Sequence, residues 1–220
     1  MRIDILTLFP EMFIGFLNES IIKRAIEKNL VTVNIVNFRD YSLDPHKKVD
    51  DTPYGGGAGM VLMAQPIFDC VEDLRTDDSL VILLTPDGKT YNQQMANNLK
   101  NYKHLIFICG HYEGFDDRIR TLVDIEISLG DFVLTGGEIP AMAISDSIIR
   151  LLDGVITKES LDSESFDDNL LDYPTYTKPR DFRGLKVPDV LLSGDHAKIN
   201  EYRRNEQIRI TKEKRADLLK

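Results

Sequence analysis

Four glycine-bearing turns hold the densest concentration of chemistry in this sequence. The first is Pro53-Tyr54-Gly55-Gly56-Gly57-Ala58-Gly59-Met60. So much glycine permits positive φ and close backbone approach. The turn lacks the Lys-Ser/Thr of a phosphate-binding loop, and no strand of GxGxxG type feeds it, which argues against kinase or nucleotide-hydrolase chemistry. A mobile loop is an equally good reading. The other three turns each follow an apolar run: Thr85-Pro86-Asp87-Gly88 after Leu80–Leu84, Gly110-His111-Tyr112-Glu113-Gly114 after Leu105–Cys109, and Gly130 to Glu138 after Asp124–Leu129. In an open parallel sheet, ligands bind beyond the carboxyl ends of the strands. Three such turns can form one pocket that reads an adenine through main-chain groups. One turn alone is weak evidence, because glycine after a strand is usually just a turn.

Two charged features complete the candidate chemistry. Asp153 to Asp172 holds seven acids and one base, Lys158. Any single acid in such a run is ordinarily solvated. Arg150 ends the apolar stretch Ser147-Ile148-Ile149-Arg150-Leu151-Leu152, so its stem can be buried while its head reaches elsewhere.

The elements that must position these residues alternate between strand and helix over the first 150 positions. Ile3–Phe9 and the alternating Val31–Phe38 predict strands. Leu80–Leu84 and Leu105–Cys109, nearly continuous in apolar character, predict strands covered on both faces. Asp124–Leu129 predicts a further strand. Helices are predicted over Ser20–Asn29 with Ser20 as its cap, Ala64–Arg75 with Pro66 in its first turn, Asn92–Lys100, Asp116–Val123 and Glu138–Leu152. This order implies an α/β fold, a mostly parallel sheet with helices on both faces. Thr157–Pro179 has no sustained period and predicts a long connector, and such loops tend to be functional or disordered. Helical spacing returns from His196 through Ile210, and Leu218 and Leu219 close a second short helix. No internal repeat or low-complexity tract is present.

Composition sets the outer bounds. At 220 residues and 42% hydrophobic, the chain can bury one good core and a small second lobe. The N-terminal residues are too early-charged for a secretory signal, and no apolar run reaches membrane-spanning length. Cys70 and Cys109 lack CxxC spacing and sit in apolar surroundings, as expected of buried free thiols in a reducing compartment. A cytoplasmic location follows. The net charge of −9 argues at first against a nucleic-acid partner. Its distribution does not: residues 178–220 carry 12 Lys/Arg against 7 Asp/Glu, a net of +5, leaving −14 on residues 1–177. A solvated terminal helix explains that asymmetry equally well.

Taken together, the motifs are specific. Gly-x-Tyr-Glu-Gly-x-Asp from Gly110 and Gly-Asp-Phe-Val-Leu-x-Gly-Gly-Glu from Gly130 resemble signatures of the bacterial tRNA (guanine-N1)-methyltransferases. So do Leu-Phe-Pro-Glu-Met-Phe at 8–13, Asp51-Thr52-Pro53-Tyr54-Gly55-Gly56-Gly57 and Val190-Leu191-Leu192-Ser193-Gly194. The matches keep the family's order along nearly the whole chain. The resemblance implies a deep trefoil knot, an exception to ordinary chain topology, and a homodimer with active sites at the subunit interface. It also implies three regions: a knotted cofactor-binding domain over 1–156, an acidic connector over 157–178, and a small basic helical domain contacting tRNA over 179–220.

The implied reaction moves a methyl group from S-adenosylmethionine to N1 of guanine-37, next to the tRNA anticodon. N1 carries a proton in neutral guanine, so a general base helps. Negative charge grows on O6 as that proton leaves, and a cation there stabilises the transition state. By resemblance the base is Glu164, where relatives commonly carry Asp two residues before the Phe matching Phe166, with Asp162 as the fallback. Arg150 matches the cation. The adenosine pocket is assigned to Leu84, Pro86, Gly110, Glu113, Leu129, Gly130, Asp131, Phe132, Val133, Leu134, Gly136, Gly137 and Pro140. His111 stands where Arg is common. No metal site is legible, although relatives are associated with Mg2+, for which Glu113 or Glu164 would be the ligand. Lys178, Arg180, Arg183, Arg203 and Arg204 are phosphate-contact candidates. A 2′-O-ribose methyltransferase would need an early-loop arginine, and the guanine motifs do not match it. A silent RNA-binding module has no need of the base and the arginine.

Overall fold

The computed structural model describes residues 1–157 and 165–219. It comprises two compact units, Met1–Ile156 and Thr157–Lys220. The first is built on a five-stranded sheet, all pairs parallel: β1 (Arg2–Thr7), β2 (Thr32–Asn37), β5 (Ser79–Thr90), β6 (His104–Cys109) and β7 (Ile125–Ser128), in the order β2-β1-β6-β5-β7. Two short strands, β3 (Asp50–Asp51) and β4 (Val61–Leu62), pair antiparallel outside it. The helices are α1 (Ile14–Asn18), α2 (Ser20–Glu27), α3 (Ala64–Leu74), α4 (Gln93–Leu99) and α5 (Glu138–Ile149).

The apolar runs work by alternation, since successive strand residues face opposite sides. Ile3, Ile5, Ile82, Leu84, Leu105, Phe107 and Ile127 join Ile22 and Ala25 of α2, Met95 and Leu99 of α4, and Ala141, Ile144 and Ile148 of α5 in one core. Leu6, Val81, Leu83, Ile106 and Ile108 join Ile67, Cys70 and Val71 of α3 in the other. Both faces are therefore covered, which is why these strands can be apolar without a polar alternation.

Asp4 is the exception inside β1, fully buried. Its carboxylate accepts from Asn34 Nδ2 at 2.7 Å, pairs with the Arg2 guanidinium at 2.6 Å, and meets His104 Nε2 at 2.9 Å. The His104 Nδ1 atom in turn lies 2.7 Å from Ser79 Oγ. One polar chain thus crosses β2, β1, β6 and β5 where their registers align Asp4 with Asn34 and Ser79 with His104. A buried charge persists only when satisfied in this way.

Several boundaries differ from the sequence expectations. Ser20 does not cap α2: it is the helix's first residue, at φ 53°, and no side-chain hydrogen bond caps that end. The segment expected to be a helix from Asp116 is a 3-10 helix over Asp117–Leu122, whose first turn is closed by the Asp116 carboxylate on Arg118 N–H. Pro86 to Gly88 do not end β5. The strand shifts register between Leu84 and Lys89, bulges, and resumes pairing with Lys89 opposite Ile127 and Thr90 opposite Ser128. Continued pairing holds the bulge against β7, with Tyr91 N–H donating to Ser128 C=O at 2.8 Å.

In the second unit, β8 (Asp181–Phe182) and β9 (Leu185–Lys186) form a hairpin, and α6 (His196–Lys214) is its one long helix among the described residues. Asp195 caps α6 by accepting from Ala197 and Lys198 N–H. Thr211 on α6 is buried and accepts from Leu171 N–H at 2.8 Å.

Candidate active site

A cavity of about 480 Å³ opens at the bulge of β5 and beyond the carboxyl ends of β6 and β7. The β5 bulge contributes Leu84 to Asp87, the loop after β6 contributes Gly110 to Phe115, and Ile127 to Gly130, Phe132 to Gly137 and Pro140 close the far side. Of the residues assigned to an adenosine pocket, Asp131 alone is absent from this wall. The loop after β7 returns to the end of β6: Gly137 N–H donates to Gly110 C=O at 2.9 Å, and His111 bridges Gly136 in antiparallel fashion. Glycine is required at 137, because a Cβ there would lie 2.6 Å from Cys109 Cα and 2.9 Å from Gly110 N.

The glycine-rich turn at 53–60 borders this loop without lining the cavity. Met60 C=O accepts from Glu113 N–H at 3.0 Å, and Leu62 N–H donates to Gly114 C=O at 2.9 Å. The Glu113 side chain lies over Gly59, in the space a Cβ would fill. Among the described residues, no group of three or more His, Cys, Asp or Glu side chains could hold a metal ion. The His111 ring packs 4.6 Å from Phe9, and its buried Nδ1 has no hydrogen-bond partner among the described residues.

Two residues of this site were not singled out by the sequence. Arg120 lines the cavity and draws together Glu126, Asp87 at 2.6 Å and Asp117 at 3.0 Å; the bonds to Glu126 and then Asp87 hold its pKa above the usual arginine value. Its three partners lie 3, 6 and 33 positions away, so only the near two were visible as helical or local spacing. Glu138 is 2% exposed and accepts from the Thr7 hydroxyl at 2.7 Å. Its motif was legible, its burial against β1 was not. Burial, and then the Glu138 charge, push the Cys109 thiol well above its ordinary value. Burial first, then Asp73 and Asp4, push Cys70 up to about 12. Both are free and buried, with no nucleophilic character.

Arg150 is half-buried at the C-cap of α5, its N–H donating to Asp146 C=O at 3.0 Å, and it does not line the cavity. Ten residues separate it from Pro140, about 15 Å along a helix. Glu164 and Asp162 lie outside the described residues. In the second unit, a cavity of about 560 Å³ gathers Lys178, Arg180 and Arg203 with Tyr173 and Tyr176. The Arg203 guanidinium sits 4.8 Å over the Tyr173 ring. Arg183 stacks on Phe182 and Arg204 pairs with Asp168 at 3.7 Å, so the five basic candidates do not form one group. Among the described residues no helix is long and apolar enough to cross a membrane.

Comparison with known proteins agrees along the whole length. The family described as tRNA (Guanine-1)-methyltransferase TrmD matches residues 1–220. A tRNA (guanine-N(1)-)-methyltransferase of Malacoplasma penetrans is 63% identical over 99% of this chain and 96% of its own. One from Bacillus pumilus is 59% identical, covering 100% and 92%, and one from Clostridioides difficile 58%, covering 100% and 98%. With the glycine motifs after β6 and β7 lining one cavity and its full length matched, the chain belongs to the tRNA (guanine-1)-methyltransferase family, a family of methyl-transferring enzymes.

Proposed function

We propose that this enzyme transfers a methyl group from S-adenosylmethionine to N1 of guanine-37 in tRNA, in the cytoplasm, as a homodimer whose active sites combine both subunits. The observation that carries the reading is the cavity formed by the β5 bulge and the turns after β6 and β7. Its volume suits a small ligand. Leu84, Ile127, Leu129, Leu134 and Pro140 offer apolar surface to the faces of an adenine, and the backbone around Gly110, Gly130 and Gly136 offers donors and acceptors to its edges. Among the described residues no lysine lines the cavity and Arg120 is engaged by Asp87, Asp117 and Glu126, which argues against a polyphosphate ligand. These residues fit S-adenosylmethionine, which supplies an electrophilic methyl group on a sulfonium.

In this reading Glu164 accepts the guanine N1 proton as the nitrogen's electron pair turns toward the methyl carbon. Arg150 donates to O6, where charge accumulates. The distance of Arg150 from the Pro140 end of α5 supports a site completed by a second chain, with the connector and Arg150 meeting across subunits. The return of the loop after β7 onto Gly110 supports a knotted cofactor segment. Lys178, Arg180 and Arg203 position the tRNA by its phosphates, while the base itself is read elsewhere.

The test uses labelled S-adenosylmethionine and two unmodified tRNA transcripts, one with guanine and one with adenine at position 37. Incorporation into the first and none into the second is expected. Equal labelling of both would remove guanine-37 as the target, and no labelling of either would remove the donor.

A further inference from the structure

We propose that Glu138 makes the cavity selective for a positively charged ligand, so that it holds a sulfonium donor more tightly than the neutral thioether left after transfer. This rests on S-adenosylmethionine being the donor, as proposed above. Glu138 stands behind the cavity wall and is not part of it. It is two residues past Gly136, whose backbone lines the cavity, yet its own side chain is 2% exposed. One carboxylate oxygen accepts from the Thr7 hydroxyl at 2.7 Å. The other, Oε2, occupies the space that a Cβ on Gly136 would need, and His111 Nδ1 lies 2.8 Å from that same point. One glycine backbone therefore separates the carboxylate from the cavity, and glycine is the residue that lets it come so close.

Two features of its surroundings bear on the charge it presents to the cavity. Glu138 is in the first turn of the twelve-residue α5, where the positive end of the helix dipole favours negative charge. Among the cavity-lining residues, the guanidinium of Arg120 is engaged by Asp87, Asp117 and Glu126, and Glu113 adds a further negative charge. His111 and Tyr112 are further titratable side chains of the lining. Among the described residues the balance of charged side chains around the cavity is negative.

In methyl transfer the S–CH3 bond breaks, its electron pair stays on sulfur, and the methyl carbon bonds to guanine N1, whose proton goes to the base. Sulfur passes from +1 to neutral, while the ammonium and carboxylate of the methionyl tail are unchanged. A fixed anion near the sulfur therefore favours the donor over the product. It gives no help to the chemical step, because the positive charge on sulfur is fading there. Glu138 works by selecting the incoming ligand and releasing the spent one. A unit charge roughly 10 Å away, at an effective dielectric near 20, changes a cation's affinity by on the order of tenfold.

Calorimetry on the full chain tests this with three ligands: S-adenosylmethionine, S-adenosylhomocysteine, and the analogue carrying a protonated amine in place of the sulfonium. Glu138→Gln should weaken both cations about tenfold relative to the thioether, and Glu138→Asp, which keeps the charge, should retain the wild-type ratio. A Glu138→Gln variant that weakens all three by one factor has lost packing alone, and the inference fails. If Glu138→Gln does not fold, the wild type decides: near the amine's own pKa, binding of the amine analogue should take up protons, and absence of uptake overturns the idea. Failure of the wild type to bind any of the three removes the donor and the inference together, whereas binding with an unchanged ratio removes only the role of Glu138.

Discussion

Gly137→Ala isolates what the returning loop contributes. Gly137 has φ −83° and ψ −4°, a conformation open to alanine, so backbone strain plays no part. The cost is steric. The new Cβ would stand 2.6 Å from Cys109 Cα, 2.9 Å from Gly110 N and 3.1 Å from Cys109 Cβ. Ordinary van der Waals contact needs roughly another 0.9 to 1.4 Å at the shortest of these, by the usual separation of about 3.5 to 4.0 Å between carbons. Cys109 ends a fully buried strand paired on both sides, so it cannot retreat. The loop must move, and the 2.9 Å bond from Gly137 N–H to Gly110 C=O lengthens past usefulness. Losing that bond costs about 1 kcal/mol, and overpacking adds about 1–3 kcal/mol. The sum corresponds to a loss of roughly thirty- to thousandfold in affinity for the proposed methyl donor if it falls on the loop after β7. Thermal unfolding and calorimetry with S-adenosylmethionine read the two components separately. Gly15→Ala is the control, with nothing within 4 Å of its added Cβ; in the helical α1 it should stabilise by about 0.5–1 kcal/mol. Wild-type melting and affinity in Gly137→Ala would refute the packing of this loop against Cys109.

Asp4→Ala strands His104 and Asn34 inside the sheet, and chemical denaturation should show a loss of about 3 kcal/mol; a loss under 1 kcal/mol would mean the polar chain across the strands is dispensable. In native protein neither thiol should react with Ellman's reagent at pH 8, because the fold raises both pKa values and keeps the thiols protonated well above that pH; two should react after unfolding, and a rapid native reaction would contradict their burial. Glu164→Gln should slow transfer by on the order of a hundred- to ten-thousandfold with little change in cofactor affinity, while Glu164→Asp keeps substantial activity and Asp162→Asn is nearly silent. The reverse pattern would make Asp162 the base. A mixture of Glu164→Gln and Arg150→Ala subunits should recover part of the activity that each lacks alone, and a fully active stable monomer in sedimentation would exclude the shared site.

What the sequence disclosed, and what it withheld, follows from the range of each interaction. The strands were legible because their burial is written locally, in runs such as Leu105 to Cys109 that need no partner to be recognised. The β5 bulge was not, since Pro86 and Gly88 carry turn chemistry and only pairing with Ile127 and Ser128 overrides it. Ser20 has the composition of a cap, but the preceding α1 turns the chain so that it enters α2 at positive φ, and composition cannot report that. The cavity wall was traceable because its glycines mark close backbone passages, each tied to a strand end. Glu138 shows the limit of that logic. Its place in the Gly-Gly-Glu motif was plain, yet its partner Thr7 is 131 positions away. A surface acid at a helix start and a buried acid behind a binding wall look the same in one dimension. The difference between them is the hydroxyl of Thr7 and the missing side chain of Gly136, and those two together turn an ordinary helix-start glutamate into a fixed charge beside the cavity.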